Sequence, residues 1–351
     1  MLVGDMIHLI EDQTAMFKEA GSAPARVETQ LDLNQNSLHR LGQRLRQNRP
    51  KFVMICARGS SSHAGIYARY MIETRLGIPV LPVAPSLSSI FAVKQDLDGV
   101  LFLAISQSGQ SPDILSAAQA AKNGGAFVVA IVNDEHSPLA QLAEMVVPLH
   151  AELETSVAAT KTFICTLSAI AQMVAEWAQL DSLTAGLHSL PGQLEGAFDM
   201  TWDEAIEALK ETQSLFTISR GLGLCIAKEA ALKFKETCCL HAESFSAAEV
   251  RHGPIALVKD NFPVIIFSTG DETQASIDAV TQSVTSRSTK IFVTGRADKG
   301  ARLLSTVSSE VPELRPILAI QSFYRFINAL SLSRGLNPDA PDHLKKITET
   351  L

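Results

Sequence analysis

The chain has 351 residues, 46% of them apolar and 19% charged, with a formal net charge of −7. That length and composition fit a compact protein of about two domains and exclude a disordered chain. The acidic balance argues against a general nucleic-acid binder and against an acidic membrane surface as partner.

The N-terminus, "MLVGDMIHLIEDQ", carries acids where a secretion signal carries positive charge. Residues 5–47 read as helical, with turn signals at "GSAPA" (21–25) and a basic, solvated helix face at "HRLGQRLRQNRPK" (39–51). From Lys51 the texture changes. "KFVMICARG" reads as a buried strand entering a Gly/Ser loop, and "HAGIYARYMIETRLG" as a helix ending at Gly77. "IPVLPV" is a second strand and "GVLFLAIS" a third, followed by the helix "PDILSAAQAAKNGG" and the strand "FVVAIVN". Alternating strands and helices of this length imply right-handed βαβ units and parallel sheets. Residues 165–210 read as mostly helical, broken at "LPG" (190–192).

The texture then repeats. "LFTISRGLGLCIAKEAALKFKET" parallels "VMICARGSSSHAGIYARYMIET", and "FPVIIFSTGDETQASIDAV" parallels "VLFLAISQSGQSPDILSAA". Arg58 precedes Ser106 by 48 residues, and Arg220 precedes Ser268 by 48. That match predicts an internal duplication. The last stretch, "NPDAPDHLKKITETL", reads as a tail.

No apolar run reaches the roughly 18 residues of a membrane helix. The cysteines, Cys56, Cys165, Cys225, Cys238 and Cys239, are odd in number and lack C-x-x-C spacing. They read as buried thiols in a reducing cytoplasm, so a cytoplasmic protein is expected. Neither "HAE" nor "RHG" matches a metal-ligand signature, and no metal is expected.

In an open parallel sheet, ligands bind beyond the carboxyl ends of strands. "RGSSSHAG" and "SQSGQSPD" sit there, each opening a helix. Unpaired backbone N–H groups and rotatable hydroxyls at a helix N-terminus suit a phosphate without a lysine. The competing reading is that Ser108 or Ser111 merely caps its helix. No loop reads as a P-loop or as G-x-G-x-x-G. Further on, Lys233 and Glu236 share a helix face, with His252 after them in a "RHGP" turn. A carboxylate, an ammonium and an imidazole suit acid–base chemistry, but spacing alone favours an exposed helix laced with ion pairs.

Taken in order, "RGSSSHAG", "SQSGQSPD", "ETSVAATKTF", "ALKFKET", "HAESFSAAEVRHGP" and "DHLKKITET" resemble the sugar isomerase (SIS) family, and within it the isomerase half of glucosamine-6-phosphate synthase. The resemblance spans nearly the whole chain. It implies an α/β fold of two tandem SIS subdomains, each a five-stranded parallel sheet flanked by helices. The implied divisions are a helical arm (1–48), subdomains at 49–195 and 196–335, and a C-terminal tail (336–351) closing the active site.

By resemblance, Ser61, Ser106, Gln107, Ser108 and Ser111 hold the substrate phosphate, with Ser60 beside them, and Val157 and Lys161 contact the sugar. Glu236 matches the base that moves a proton between C2 and C1, and Lys233 stands beside it. His252 matches a ring-opening histidine contributed by the second subunit of a homodimer. Lys346 matches a tail lysine that forms a Schiff base with the ketose. No cofactor is implied.

The departures are also specific. Arg58-Gly59-Ser60-Ser61 stands where the synthase has C-G-T-S, Gln110 replaces a Glu, Ala159 a Ser and Lys345 an Ala. The sequence opens at the isomerase half, so no glutaminase and no delivered ammonia are expected. Together these features predict isomerising deamination of glucosamine 6-phosphate to fructose 6-phosphate and ammonia. Alternatives are an isomerase or deaminase for galactosamine or fructosamine 6-phosphate, or a sensor without catalysis. A small-molecule sugar phosphate is the expected partner, with neither nucleic acid nor membrane.

Overall fold

A computed structural model describes residues 10–297 and 300–346. The first nine residues, including the start of the expected 5–47 helix, and 347–351 of the expected tail lie outside the described residues.

The first helix, α1 (Ala15–Gln47), is continuous. The turn expected at 21–25 does not form, although Pro24 lies inside it. A proline in a helix interior costs about 3 kcal/mol. Met16, Ala20, Ala23, Val27 and Leu31 form one buried stripe across that point. Burying each larger apolar side chain is worth about 1.5–3 kcal/mol, so the stripe outweighs the proline. Gly21 serves close packing: a Cβ there would lie 3.0 Å from the Phe198 ring.

The first sheet follows: β1 (Val53–Ala57), α2 (Gly59–Leu76), β2 (Val80–Pro82), the short α3 (Ser86–Ser89), β3 (Leu101–Ser106), α4 (Pro112–Asn123), β4 (Phe127–Val132), α5 (Pro138–Leu142) and β5 (Met145–Pro148). α2 ends where Gly77 turns left-handed (φ +64°), as its sequence predicts. α6 (Lys161–Ala178), α7 (Asp181–Asp199) and α8 (Asp203–Leu209) lead to the second sheet. α7 also crosses the expected break at 190–192. Leu183, Leu187, Leu190, Leu194 and Ala197 keep one buried face through Pro191.

The second sheet is built from β6 (Ser214–Ser219), α9 (Leu224–Cys238), β7 (His241–Ser246), β8 (Val264–Ile266), α10 (Gln274–Thr285), β9 (Ile291–Thr294) and β10 (Arg302–Leu304). α11 (Arg315–Ser333) closes the fold.

Every named strand pair is parallel. The strand orders are β2-β1-β3-β4-β5 and β10-β9-β8-β6-β7. Read in chain order within each half, the two are the same 2-1-3-4-5 order, so the predicted duplication extends to topology. α6 and α11 are buried on nearly every side between the two halves. Both are largely apolar, and the polar side chains they bury include Gln172, Gln321 and Ser322, which donate to the Leu31, Ala20 and Ala197 carbonyls. Cys56, Cys165, Cys225 and Cys238 are buried thiols as expected, but Cys239 is exposed. Its φ of +47° in the left-handed turn that ends α9 brings it to the surface. Among the described residues, no helix is long and apolar enough to cross a membrane.

Candidate active site

In a 2-1-3-4-5 sheet the order reverses between the first and third strands, and the loops beyond their carboxyl ends diverge to leave a crevice. A cleft of about 350 Å³ lies there, beyond β1 and β3, walled by the 58–61 and 106–111 loops, α9 and the tail. Every site residue expected from the sequence lines it except Lys161 and His252.

The 106–111 loop is held in shape from behind. The Ser106 hydroxyl accepts the Gly109 N–H at 3.1 Å. Gly109 has φ +61°, and a Cβ there would come within 2.2 Å of the Ser137 hydroxyl. Only glycine satisfies both conditions. Ser108 accepts the Gln110 N–H in a local turn, and Ser111 occupies the cap position of α4 without making a capping bond. The simple capping reading of these serines therefore fails, and the Ser111 hydroxyl is available to a ligand at the helix N-terminus. Ser60 is turned inward: it donates to Glu229 at 2.8 Å and accepts from Lys233 at 3.3 Å.

α9 supplies the charged floor. Lys233 Nζ lies 2.5 Å from Glu236 and 3.2 Å from Glu229. Lys233 and Glu229 are buried, whereas the Glu236 side chain keeps 22% exposure toward the cleft. Glu229 was not singled out from sequence. The signal was present, because Glu229, Lys233 and Glu236 stand at i, i+4 and i+7 on one face. Its other partners come from far along the chain: His63 Nδ1 lies 2.7 Å away and the Tyr324 hydroxyl donates at 3.4 Å. Burial alone would raise the Glu229 carboxyl. The Lys233 ammonium and the His63 and Ser60 hydrogen bonds overcome it and hold the pKa at about 2. Burial likewise disfavours the Lys233 cation, but Glu229 and Glu236 raise its pKa above the usual lysine value. The floor is a fixed carboxylate–ammonium–carboxylate row, in which Lys233 and Glu236 line the cleft and Glu229 lies behind them.

The tail closes the opposite side through Leu344, Lys345 and Lys346. Lys346 Nζ donates to Glu154 at 2.8 Å and to the Ser156 carbonyl at 2.7 Å. Glu154 is buried, and it also accepts the Thr160 and Thr162 N–H groups at the start of α6. Burial works against its charge, yet Lys346 and these donors lower its pKa. The tail is anchored further by Asp339. Its carboxylate accepts the first N–H groups of α1 at 2.8 and 2.7 Å, and its carbonyl accepts the Val157 N–H.

Two expected residues lie elsewhere. Lys161 is buried at the start of α6 and donates to the Leu153 carbonyl at 2.8 Å. It shapes the loop carrying Val157 and Ala159 without reaching the cleft wall. His252 sits exposed on the short turn Glu249–His252. His241 and Glu243 are exposed on β7, at the edge of the second sheet, and take no part in the cleft.

In the second sheet the loop beyond β8 satisfies its own donors. Asp271 accepts from the Thr273 N–H and hydroxyl and from the Thr269 hydroxyl, which stand where the first cleft keeps free donors. Among the described residues, no group of three His, Cys, Asp or Glu side chains is arranged to hold a metal ion.

The chain and its fold are similar to known proteins. The SIS domain family model matches residues 48–176 and 208–305. Glutamine–fructose-6-phosphate aminotransferase (isomerizing) of Aquifex aeolicus is 32% identical over 302 residues, covering 84% of this chain and 51% of that protein. This chain thus spans about half the length of such relatives. A provisionally named phosphosugar isomerase from Silicibacter pomeroyi DSS-3 superposes with a TM-score of 0.89 at 41% identity, over 93% of this chain and 100% of that one. The C-terminal domain of the Francisella tularensis glucosamine-fructose-6-phosphate aminotransferase gives 0.83 at 25% identity, over 94% and 98% of the two chains. With two fifths identity over a full-length structure and the family model matching both halves, the chain belongs to the SIS domain family.

Proposed function

We propose that this protein is a sugar-phosphate isomerase that deaminates glucosamine 6-phosphate to fructose 6-phosphate and ammonia. The observation that carries the reading is the α9 floor: one accessible carboxylate, Glu236, held 2.5 Å from a buried ammonium and facing a cleft lined by serine hydroxyls. The names of the similar proteins, isomerases and aminotransferases of hexose phosphates, support the substrate class.

The phosphate rests on the Ser61, Ser106–Ser108 and Ser111 loops at helix N-termini. That places the open-chain carbons toward α9. Glu236 removes the C2 proton of the aldehyde form, and Lys233 stabilises charge developing on the C1 oxygen. Glu236 returns the proton to C1, and as the nitrogen loses a proton and the C1 oxygen gains one, a C1 hydroxymethyl group and a C2 imine result. Water adds at C2 and ammonia leaves, so one water is consumed for each ammonia released. Ring opening needs a further acid–base group, and His252 from a second copy of the chain fills that role in this reading. Arg58 occupies the cleft wall where the synthase has a small thiol, so the two clefts differ in charge and size at that position. Lys346, bound to Glu154, holds the tail across the substrate.

The α9 pair would equally serve an isomerisation that keeps the nitrogen, because the proton transfer is the same. Purified protein is assayed for ammonia with glucosamine 6-phosphate and with its C4 epimer. Ammonia from the first at the higher kcat/KM supports the reading. Ketose formation without ammonia selects the isomerase, and ammonia mainly from the epimer changes the substrate.

A further inference from the structure

Arg58 lines the cleft and is paired with a buried carboxylate. It ends the β1–α2 loop in extended conformation (φ −133°, ψ 159°), and its side chain reaches across to α4. Nε and Nη2 both lie 2.8 Å from Oδ2 of Asp113. Asp113 is in the first turn of α4 and its side chain is 1% exposed, whereas that of Arg58 is 54% exposed. The other Asp113 oxygen accepts the Ile114 N–H. Among the described residues, no second acceptor takes the remaining edge of the guanidinium.

A buried carboxylate two residues from Ser111 is a poor neighbour for a phosphate. It competes for the positive end of α4 and repels a dianion. Pairing it with Arg58 cancels that charge and fixes one edge of the fork, leaving the other edge on the cleft wall. A planar guanidinium held in this way suits two phosphate oxygens at once.

The second subdomain provides an internal comparison. Arg220 holds the same cap position, with φ −150° and ψ 158°. No carboxylate corresponds to Asp113 there. Arg220 donates to Ser276, and the neighbouring loop turns its donors onto Asp271. The Arg–carboxylate clamp therefore occurs in the half whose crevice is open.

We propose that Arg58, positioned by Asp113, is the cation of the phosphate cradle and selects the phosphate dianion. This rests on the reading of the cleft as a sugar-phosphate site and adds a specificity residue to it. The charged groups on the cleft wall are Arg58 from the β1–α2 loop, Lys233 and Glu236 from α9, and Lys345 and Lys346 from the tail; behind them lie Asp113 of α4 against Arg58, Glu229 and His63 against Lys233, and Glu154 against Lys346.

Calorimetric titration with glucosamine 6-phosphate and with inorganic phosphate, from about pH 5 to about pH 8, spans the second phosphate ionisation near pH ~6. Wild-type affinity rises through that ionisation. Arg58→Met weakens binding about 10-fold or more at the upper pH and flattens the rise, because a charge-assisted pair is lost. Arg58→Lys recovers part of the affinity, and Asp113→Asn, which frees the fork, weakens binding while the protein melts as a folded domain. Wild-type binding with Arg58→Met unchanged in affinity and pH profile overturns the role of Arg58 alone. A wild-type protein that binds neither probe overturns the sugar-phosphate reading and this proposal together.

Discussion

Glu229 shows how much of the site rests on a residue that touches no cleft surface. Fully buried, it is charged because Lys233, His63, Ser60 and Tyr324 all converge on it. Its pKa in the folded state, about 2, is below the ordinary 4.5. A depressed carboxylate stabilises the fold above its ordinary pKa, and that contribution disappears as pH falls from 4.5 toward 2. Glu229→Gln should therefore lower stability at neutral pH and lose less between pH 4.5 and 2 than the wild type does; chemical denaturation at several pH values measures it. Parallel acid limbs for the two proteins would show that Glu229 is not the group responsible. The residue was legible in sequence only as one acid in a charged helix. What singles it out is burial, and burial came from chain segments 95 and 166 positions away.

At the level of elements, the two halves share strand order and loop placement, yet only one presents an open cradle. The difference lies in the 268–273 loop. Asp271 takes the Thr269 and Thr273 donors and stands as an internal anion, and Arg315 binds the Thr269 and Gly270 carbonyls beside it. Titration with inorganic phosphate or a hexose phosphate should accordingly saturate at one ligand per chain. A stoichiometry of two would mean that the second crevice opens in solution. The strands and their polar exits were readable from local pattern, since short apolar runs ending in Gly/Ser loops leave few alternatives in an α/β chain. The continuity of α1 and α7 was not. Pro24 and Pro191 are local break signals, and long buried stripes against other helices override them.

At the scale of the whole molecule, the cleft of one chain has Glu236 but, among the described residues, no imidazole on its wall, and His252 is exposed outside that lining. A second copy completes the site in our reading. Mixing makes this testable. Glu236→Gln and His252→Asn should each lose about 10²- to 10⁴-fold in kcat alone, as removal of an acid–base group does. In randomly exchanged dimers, half are mixed and each carries one intact composite site, so activity should return to about a quarter of wild type. No recovery after verified subunit exchange would place His252 outside the partner's cleft.

Sequence by itself determined the class of fold, the duplication, the two hydroxyl-rich loops and the Lys233–Glu236 face, because each is written in short-range spacing that backbone geometry converts directly into placement. Tertiary structure alone decided which hydroxyls remain free, that Ser60 turns inward and Ser111 does not cap, that Lys161 stays behind the wall, and that Glu154 and Asp339 bind the tail. The placements of Ser60, Lys346 and Asp339 depend on groups more than 100 residues apart meeting in a buried space, where an unpaired charge or donor is costly. Local sequence carries no record of which distant partner will satisfy it.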